Sequence, residues 1–480
     1  MDRRDQDGGT AARRRPGGKR MTTTPDGHTP WPAEFVDRYW AAGYWRGNTL
    51  DDLLRDRALR YGPHTALVHG DTRVTYANLN RRVDRMAAGI RLLGLRPGQR
   101  VLVQLPNVPE FVVTAFALMR AGVVPVFVPL PYRADGVSHL VRATQAVGYV
   151  APSTYRGFDH TAMATEIAAR EPFLRRVFTL ESPDSPPPYG GGFTTDPAGC
   201  HYFPLGSVDA PPGPALAPGA DRVALLFPSG GGPATPRLVP RTHEAYAYQA
   251  RAAAEVVSLT RDDVYLAALP AGSDFVFGCP GIVGTLSVGG TVVLAEDADP
   301  AACLPVVERE RVTVTSLSPA AVRAWLDAPG PARCDTSSLR LVQVGGAPLE
   351  RETAERIGPA WDCRPQQVFA MPEGLLVLTR PGDPDGAVLT THGRPLSPGD
   401  EVRLVDADGE DVPDGESGEL LVRGPYTARG YFRAPGENAR AFTADGRLRT
   451  GVRARRTPDG NLVVAVPDRA EPAPGTPPAE

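Results

Sequence analysis

Apolar residues recur every three to four positions in several segments of the chain, which is the spacing of one buried helix face. This pattern predicts helices over residues 53–61, 79–95, 110–121, 301–310 and 320–327. Short apolar runs lie between them and predict strands over residues 101–105, 223–227, 291–294, 312–317 and 339–344. Strands that alternate with helices of about ten residues usually form a parallel sheet covered by helices. The expected fold class is therefore α/β.

The pattern changes after residue 400, where the stretch EVRLVDADGEDVPDGESGELLVRG alternates short strands with Asp-Gly turns. Such turns join antiparallel strands. We therefore expect residues 401–466 to form a small β-rich subdomain that follows α/β subdomains over residues 31–400. Residues 1–30 are polar, basic and rich in Gly, Pro and Thr, and residues 467–480 are rich in proline. Both end segments are predicted to be disordered.

Composition narrows the class of protein. The 480 residues are 42% hydrophobic and 22% charged with a net charge of -3, which is typical of a globular protein and gives no signal for nucleic-acid or membrane partners. No apolar run approaches the length of a membrane-spanning helix, about 20 residues. The five cysteines show neither close pairing nor metal-ligand spacing. A cytoplasmic location with reduced thiols is expected.

The positive charge of the chain is carried almost entirely by arginine. Among its 52 lysines and arginines the sole lysine is Lys19, so residues 20–480 contain none. A guanidinium is planar and always protonated, and it does not replace the compact ammonium of lysine in most reactive geometries. Residues 20–480 therefore offer no catalytic ammonium, and we assign no catalytic residue.

A glycine-rich loop, SGGGPATPR, follows the predicted strand of residues 223–227. Backbone N–H groups in such loops cradle phosphates, and glycine permits the conformations that this requires. Here Pro233 removes one backbone donor, and the loop ends in Arg237. A glycine-rich loop by itself is a weak signal, so a surface loop without a ligand remains the alternative.

Six further stretches, in this order along the chain, resemble the adenylate-forming enzyme superfamily, and within it the stand-alone aryl-acid–AMP ligases of siderophore pathways, of the 2,3-dihydroxybenzoate or salicylate type. The resemblance covers residues 31–465. The stretches are WPAEFVDRYWAAGYWRGNTL (31–50), QLPNVPEFV (104–112), LVPRTHEAYAYQARAAAEV (238–256), LVQVGGAPL (341–349), QQVFAMPEGLL (366–376) and GELLVRGPYTARGYF (418–432).

The resemblance implies an activity and partners. Such enzymes join a carboxylic acid to ATP, with magnesium, to form an acyl adenylate and pyrophosphate. They then pass the acyl group to a thiol, so a small aromatic acid, an aryl carrier protein or another biosynthetic enzyme is the expected partner. The family fold has two αβ-type subdomains, a small β-rich subdomain and a mobile C-terminal domain with a catalytic lysine. Here PDRAEPAPG stands where the family has its hinge, so we expect the mobile domain to be missing.

The resemblance also implies a nucleotide site, in which Glu373 takes the place of the family's magnesium-binding glutamate. The family loop resembles Ser-Gly-Gly-Thr-Thr-Gly-x-Pro-Lys, and the present loop lacks both central hydroxyls and the lysine. Val452 stands where the family has an aspartate that accepts hydrogen bonds from the ribose. These departures are expected to weaken ATP binding. The candidate nucleotide-binding residues are Ser229, Gly230, Gly231, Thr235, Gly345, Gly346, Ala347 and Glu373.

The acid pocket implied by the resemblance departs less from the family. Cys279 and Leu376 indicate a salicylate-type pocket rather than a 2,3-dihydroxybenzoate type. Asp274 replaces the family's asparagine, and a carboxylate accepts hydrogen bonds but does not donate them. It therefore favours a ring with an ortho-amino group, a protonated Asp274, or a pocket that is no longer used. The candidate substrate-binding residues are Asp274, Phe275, Cys279, Val368 and Leu376.

Three hypotheses follow from this reading. The first is an aryl-acid–AMP ligase homologue with strongly impaired ATP chemistry. The second is a non-catalytic protein that binds an aryl acid or acts as a scaffold. The third is an active ligase for an ortho-amino aryl acid, completed by a C-terminal domain from another protein.

Overall fold

The computed structural model describes residues 27–181, 193–213, 218–230, 232, 235–328 and 334–465. The predicted disordered segments therefore lie almost wholly outside the described residues. The predicted nucleotide-binding residue Gly231 lies outside them too, as do Pro233 and Ala234 of the same loop.

The described residues form fourteen α-helices and one 3₁₀ turn, Leu205–Ser207. The α-helices are α1 (Ala33–Ala41), α2 (Leu50–Tyr61), α3 (Tyr76–Leu92), α4 (Pro109–Arg120), α5 (Ala134–Thr144), α6 (His160–Arg170), α7 (His243–Val256), α8 (Asp274–Gly278), α9 (Gly281–Val288), α10 (Pro300–Glu310), α11 (Pro319–Asp327), α12 (Arg351–Trp361), α13 (Asp385–Thr390) and α14 (Pro435–Ala441).

Strands form four sheets within the described part of the chain. The strands are β1 (Thr65–His69), β2 (Thr72–Thr75), β3 (Arg100–Val103), β4 (Val124–Phe127), β5 (Gly148–Pro152), β6 (Thr154–Tyr155), β7 (Phe158–Asp159), β8 (Arg176–Leu180), β9 (Thr194–Thr195), β10 (His201–Pro204), β11 (Val223–Ser229), β12 (Arg237–Thr242), β13 (Val264–Ala267), β14 (Thr291–Leu294), β15 (Val314–Leu317), β16 (Leu341–Gly345), β17 (Arg364–Met371), β18 (Leu375–Leu378), β19 (Arg394–Pro395), β20 (Glu401–Val405), β21 (Ser417–Arg423), β22 (Leu448–Arg456) and β23 (Leu462–Ala465).

Two large sheets have parallel centres and antiparallel edges. The nine-stranded sheet has the order β19-β18-β17-β16-β15-β13-β14-β1-β2, and its strands from β17 to β1 run parallel. The eight-stranded sheet has the order β12-β11-β4-β3-β5-β8-β10-β9, with parallel strands from β11 to β10. The predicted α/β class is confirmed.

Helices cover both faces of both sheets. Helix α4 contacts strands of both sheets, and eleven of its twelve residues are buried. A helix that is apolar on all sides is stable only inside a core, and here α4, α7 and α9 lie between the sheets. Helices α5 and α6 pack on the outer face of one sheet, and α11 and α12 on that of the other. Within the described residues, none of the helices has the length and hydrophobicity needed to span a bilayer.

Capping residues explain where the predicted helix boundaries were wrong. Helix α2 starts before position 53 because Thr49 and Asp52 form a reciprocal capping box at its beginning. Helix α3 starts before position 79 because the Thr75 hydroxyl accepts a hydrogen bond from the Asn78 N–H. It ends before position 95 because the chain turns at Gly94, which has a φ of +80°.

The third sheet is the predicted β-rich region. Strands β20, β21, β22 and β23 pair antiparallel in chain order. Its four Asp-Gly pairs form turns, with positive φ values at Gly409, Gly415, Gly446 and Gly460. The sheet has an apolar core of its own, which includes Leu420 and Leu462. The subdomain boundaries at residues 400 and 466 stay predictions.

Candidate functional site

The candidate nucleotide-binding residues follow the carboxyl ends of parallel strands. Ser229 ends β11, Gly345 ends β16, and Glu373 lies in the turn that joins β17 to β18. Strand β11 belongs to the eight-stranded sheet and the other three to the nine-stranded sheet. Ligands of α/β proteins commonly bind beyond the carboxyl ends of strands. These residues therefore lie where such a site is expected.

The glycine-rich loop begins and ends on paired residues, since Ser229 is paired with Arg237 across the β11–β12 hairpin. Gly230 and Gly232 have positive φ values of 53° and 73°, a conformation that favours glycine. A Cβ on Gly230 would overlap the Arg237 guanidinium, which packs directly on the loop backbone. Thr235 is exposed.

Glu373 joins this loop to the other sheet. Its side chain is buried, and its Oε1 accepts hydrogen bonds from the Ser229 hydroxyl (2.6 Å) and the Tyr431 hydroxyl (3.0 Å). Its Oε2 is also buried, but it has no hydrogen-bond partner among the described residues. A buried carboxylate oxygen without a partner is costly. It becomes favourable when a cation approaches, so Glu373 fits a metal ligand.

A magnesium ion at this position would be held by few protein groups. The described residues contain no cluster of three or more His, Cys, Asp or Glu side chains that could hold a metal. Magnesium is commonly bound through one or two carboxylates together with phosphate oxygens and water. Glu373 alone is thus compatible with magnesium that arrives with a nucleotide.

Arg237 is the cation that stands in place of the family's loop lysine. Its guanidinium lies over the Tyr431 ring, 4.7 Å from the ring centroid. Its Nε is buried without a hydrogen-bond partner among the described residues. The positive charge of Arg237 and the negative charge of Glu373 are therefore held on the same tyrosine, one by its ring and one by its hydroxyl.

Gly345, the last residue of β16, lies against predicted substrate-binding residues. A Cβ on Gly345 would lie 2.8 Å from the Val368 carbonyl and 3.1 Å from the Phe275 ring. Gly346 has a φ of +88°, and Ala347 is exposed. Two predicted substrate-binding residues therefore adjoin a predicted nucleotide-binding residue.

Asp274 lies at the start of α8 and is 5% exposed. Its Oδ1 accepts hydrogen bonds from the Tyr246 hydroxyl (2.8 Å) and the Gln249 amide (3.4 Å). The Arg241 guanidinium lies 3.8 Å away. Burial raises the pKa of Asp274, and the charge of Arg241 opposes that rise. The sequence predicted that the Asp274 carboxylate would need a hydrogen-bond donor. In the structure, protein side chains supply these donors.

Arg241 connects this network to the loop before Glu373. It is 1% exposed, and it donates to the backbone carbonyls of Pro372 (2.6 Å) and Tyr426 (3.0 Å) and to the Gln249 side chain. Its guanidinium also lies 4.9 Å from the centroid of the Tyr246 ring. The acid pocket and the Glu373 turn thus share one buried cation.

The remaining predicted pocket residues lie in one apolar cluster. Val368, Leu376 and Cys279 are buried members of the main core, and Phe275 is partly buried against it. The Cys279 thiol donates to the Asp274 carbonyl at 3.4 Å. Burial, reinforced by the charge of Asp274, raises the pKa of this thiol well above its usual value. Cys279 therefore stays protonated and packs in this cluster as a small apolar side chain.

Comparison with known proteins decides the family. The family model described as AMP-binding enzyme matches residues 54–432. The chain belongs to this family.

Relatives and solved structures agree with this membership. The chain is 45% identical to the salicyl-AMP ligase / salicyl-S-ArCP synthetase of Mycobacterium tuberculosis over 91% of this chain and 76% of that one. It is 40% identical to the 2,3-dihydroxybenzoate-AMP ligase of Bacillus subtilis over 91% and 78% of the two chains. The apo structure of Mycobacterium smegmatis MbtA superposes with a TM-score of 0.82 at 44% identity, covering 91% of this chain and 79% of that one.

Val452 has no acceptor where the family has an aspartate. Its side chain packs against the core of the four-stranded sheet, and its N–H donates to the Thr450 hydroxyl at 3.1 Å. That hydroxyl in turn donates to the Leu420 carbonyl at 2.8 Å. The residue that the resemblance places at the ribose is thus an apolar side chain packed against the sheet core.

Two side chains that organise the site were not among the predicted site residues. Tyr431 lies in the quoted stretch GELLVRGPYTARGYF and Arg241 in LVPRTHEAYAYQARAAAEV. Their membership of these stretches was a signal that could have found them. Their contacts are made across the fold, so only the structure shows which groups they join.

Proposed function

We propose that this chain binds a small aromatic carboxylic acid of the salicylate type and adenylates it with ATP and magnesium, far more slowly than a family member that has the loop lysine and the ribose-binding aspartate. The observation that carries the proposal is the carboxylate of Glu373. One of its oxygens is hydrogen-bonded, and the other is buried without a partner among the described residues. It is the feature that a pure structural scaffold would not need to keep.

The apolar cluster of Phe275, Cys279, Val368 and Leu376 supports the acid as substrate. An aromatic ring gains most from burial against apolar and aromatic walls. The relatives named for salicylate and 2,3-dihydroxybenzoate support the same chemical class. Because Asp274 already accepts two protein hydrogen bonds, the proposal does not require an ortho-amino group on the ring.

The apolar side chain of Val452 supports the proposal that adenylation is slow, because ATP binding is expected to be weak. A carboxylate that accepts hydrogen bonds from the ribose would contribute about 1.5–3 kcal/mol for each charge-assisted bond. Its replacement by an apolar side chain is expected to weaken ATP binding by about 100-fold. The same residue favours a second candidate function, a non-catalytic protein that binds the aromatic acid alone.

The acyl acceptor is proposed to be a thiol on a carrier protein. The Mycobacterium tuberculosis relative is named as a salicyl-S-ArCP synthetase, which supports this acceptor. Another enzyme of a biosynthetic pathway is the alternative partner.

ATP–pyrophosphate exchange with salicylate, 2,3-dihydroxybenzoate and 2-aminobenzoate at high protein concentration tests the proposal, together with calorimetric titration of each acid. We expect the protein to bind salicylate and to catalyse slow exchange with it. Binding and exchange with the other two acids should be reduced or absent. Binding without exchange would establish the non-catalytic function. A preference for 2-aminobenzoate would restore the ortho-amino hypothesis, and absence of acid binding by folded protein would overturn the proposal.

A further inference from the structure

Tyr431 is fixed more firmly than a surface loop residue would be. It is 4% exposed. Its N–H donates to the Asn438 side-chain oxygen (2.7 Å), and its carbonyl accepts from the Asn438 side-chain nitrogen (3.0 Å). A Cβ on the preceding Gly430 would lie 2.9 Å from that nitrogen, so these two hydrogen bonds with Asn438 require glycine at position 430. The ring also packs edge-on against Phe442.

The ring and the hydroxyl of Tyr431 contact side chains of opposite charge. Its ring lies under the Arg237 guanidinium, and its hydroxyl donates to Glu373 Oε1. A guanidinium on an aromatic face is stabilised without use of its N–H donors. The Nε of Arg237 is buried and has no hydrogen-bond partner among the described residues.

The hydroxyl contact decides which oxygen of Glu373 stays open. Tyr431 and Ser229 both donate to Oε1, so Oε2 is left for a cation. Without the tyrosine hydroxyl, Ser229 would be the remaining one of these two donors, and the carboxylate would be free to rotate. Magnesium bound to a polyphosphate presents a cation and an anion side by side. A carboxylate and a guanidinium that contact the same tyrosine, each with one unpartnered atom among the described residues, match this pair of charges.

We propose that Tyr431 is a positioning residue that holds Arg237 and Glu373 in a fixed relation, so that a polyphosphate and its magnesium ion are received together. This inference rests on the proposed nucleotide site, although the contacts that it describes exist in the protein without a nucleotide.

The test measures ATP affinity by calorimetry with excess magnesium and with EDTA, in the wild type, Tyr431→Phe and Tyr431→Leu. Tyr431→Phe keeps the ring and loses the hydroxyl. We expect it to leave metal-free ATP affinity within about twofold and to reduce the enhancement by magnesium about tenfold. Tyr431→Leu also loses the ring, so metal-free affinity should fall about fivefold or more.

Tyr202→Phe is the matched control. Its hydroxyl is also hydrogen-bonded, to Thr165 and Asp196, but β10 lies five strands away from β11 in the sheet. It should leave both affinities unchanged. If Tyr431→Phe leaves the magnesium enhancement at the wild-type value, or lowers both affinities equally, the inference is wrong.

A ligand-free measurement separates this inference from the proposed function. Double-mutant cycles on unfolding free energy pair Tyr431→Leu with Arg237→Met, and Tyr431→Phe with Glu373→Gln. Non-additive effects in both cycles, with no ATP binding by the wild type, would overturn the proposed function and leave the positioning role standing. Additive effects in both cycles would overturn the inference whatever the ATP result.

Discussion

The network around Asp274 and the cluster around Glu373 are both buried and charged, but they differ in hydrogen bonding. Among the described residues, Arg241, Tyr246, Gln249 and Asp274 hold no buried side-chain atom without a partner. The Glu373 cluster leaves the Glu373 Oε2 and Arg237 Nε atoms without one.

A saturated polar network stabilises the fold and specifies one arrangement, whereas a cluster with open atoms of opposite charge is suited to a ligand. We therefore expect mutations in the first region to act on stability. Mutations in the second should act on binding and chemistry.

The largest expected effect is the loss of stability in Arg241→Met. This change leaves the Asp274 carboxylate buried without its cation, and it frees the Pro372 and Tyr426 carbonyls. Removal of one partner of a buried pair typically costs about 3–5 kcal/mol. Urea unfolding at pH 7.5 measures it.

Arg351→Met is the matched control for Arg241→Met. Arg351 is paired with Glu355 on the surface of α12, and its loss should change the unfolding free energy by less than about 1 kcal/mol. Asp274→Asn combined with Arg241→Met should recover part of the lost stability. An equal effect of Arg241→Met and Arg351→Met would contradict the assignment of the Asp274 network to stability.

Glu373→Gln should reduce ligand binding and catalysis but have little effect on stability. Pyrophosphate exchange and the magnesium enhancement of ATP binding are expected to fall by about 100-fold, because the amide does not attract a cation. The unfolding free energy should stay within about 1 kcal/mol of the wild-type value.

Glu244→Gln is the control for Glu373→Gln. Glu244 is also buried with an unpartnered Oε2, but it lies on α7 beyond the opposite end of β12. It should leave exchange unchanged. A comparable loss of exchange in both variants would refute a specific role for Glu373.

Val452→Asp would add a hydrogen-bond acceptor at the position that we propose to face the ribose of ATP. ATP affinity is expected to rise about 10- to 100-fold in calorimetric titration. Val463→Asp carries the same charge on the neighbouring strand β23 and should not raise it. Unchanged affinity in well-folded Val452→Asp would show that this position does not face the ribose.

The smallest expected effect concerns Asp400, whose carboxylate also has one buried oxygen without a partner among the described residues. Its Oδ2 accepts from the Tyr426 hydroxyl at 2.7 Å, and its Oδ1 is buried without a partner in the described chain. Burial raises its pKa to about 7. Since the folded pKa lies above the unfolded one, the protonated form favours folding, and stability is lost as pH rises through about 7.

We therefore expect the unfolding free energy to decrease by about 1–2 kcal/mol from pH 6 to pH 8 through this group. Asp400→Asn should flatten the pH profile, although Glu244, whose pKa burial raises to about 7, retains its share of the decline. ATP affinity of Asp400→Asn should match the wild type. A profile as steep as that of the wild type would show that Asp400 does not titrate in this range.

Much of the fold could be predicted from local pattern. The predicted strand at residues 291–294 is present as β14, and the Asp-Gly pairs form turns at Gly409, Gly415, Gly446 and Gly460. These features depend on near neighbours in the chain. Helix starts were less predictable, because they depend on side-chain caps such as Thr49 and Thr75 that precede the apolar pattern.

The sequence by itself determined the α/β class, the family resemblance and the residue types available for chemistry, because these follow from spacing, composition and ordered motifs. The tertiary structure alone decided that Asp274 accepts its hydrogen bonds from Tyr246 and Gln249, and that Tyr431 joins Arg237 to Glu373. Tyr431 and Glu373 are 58 positions apart. Such contacts depend on how two sheets pack, and no local pattern encodes the distance between their strand ends.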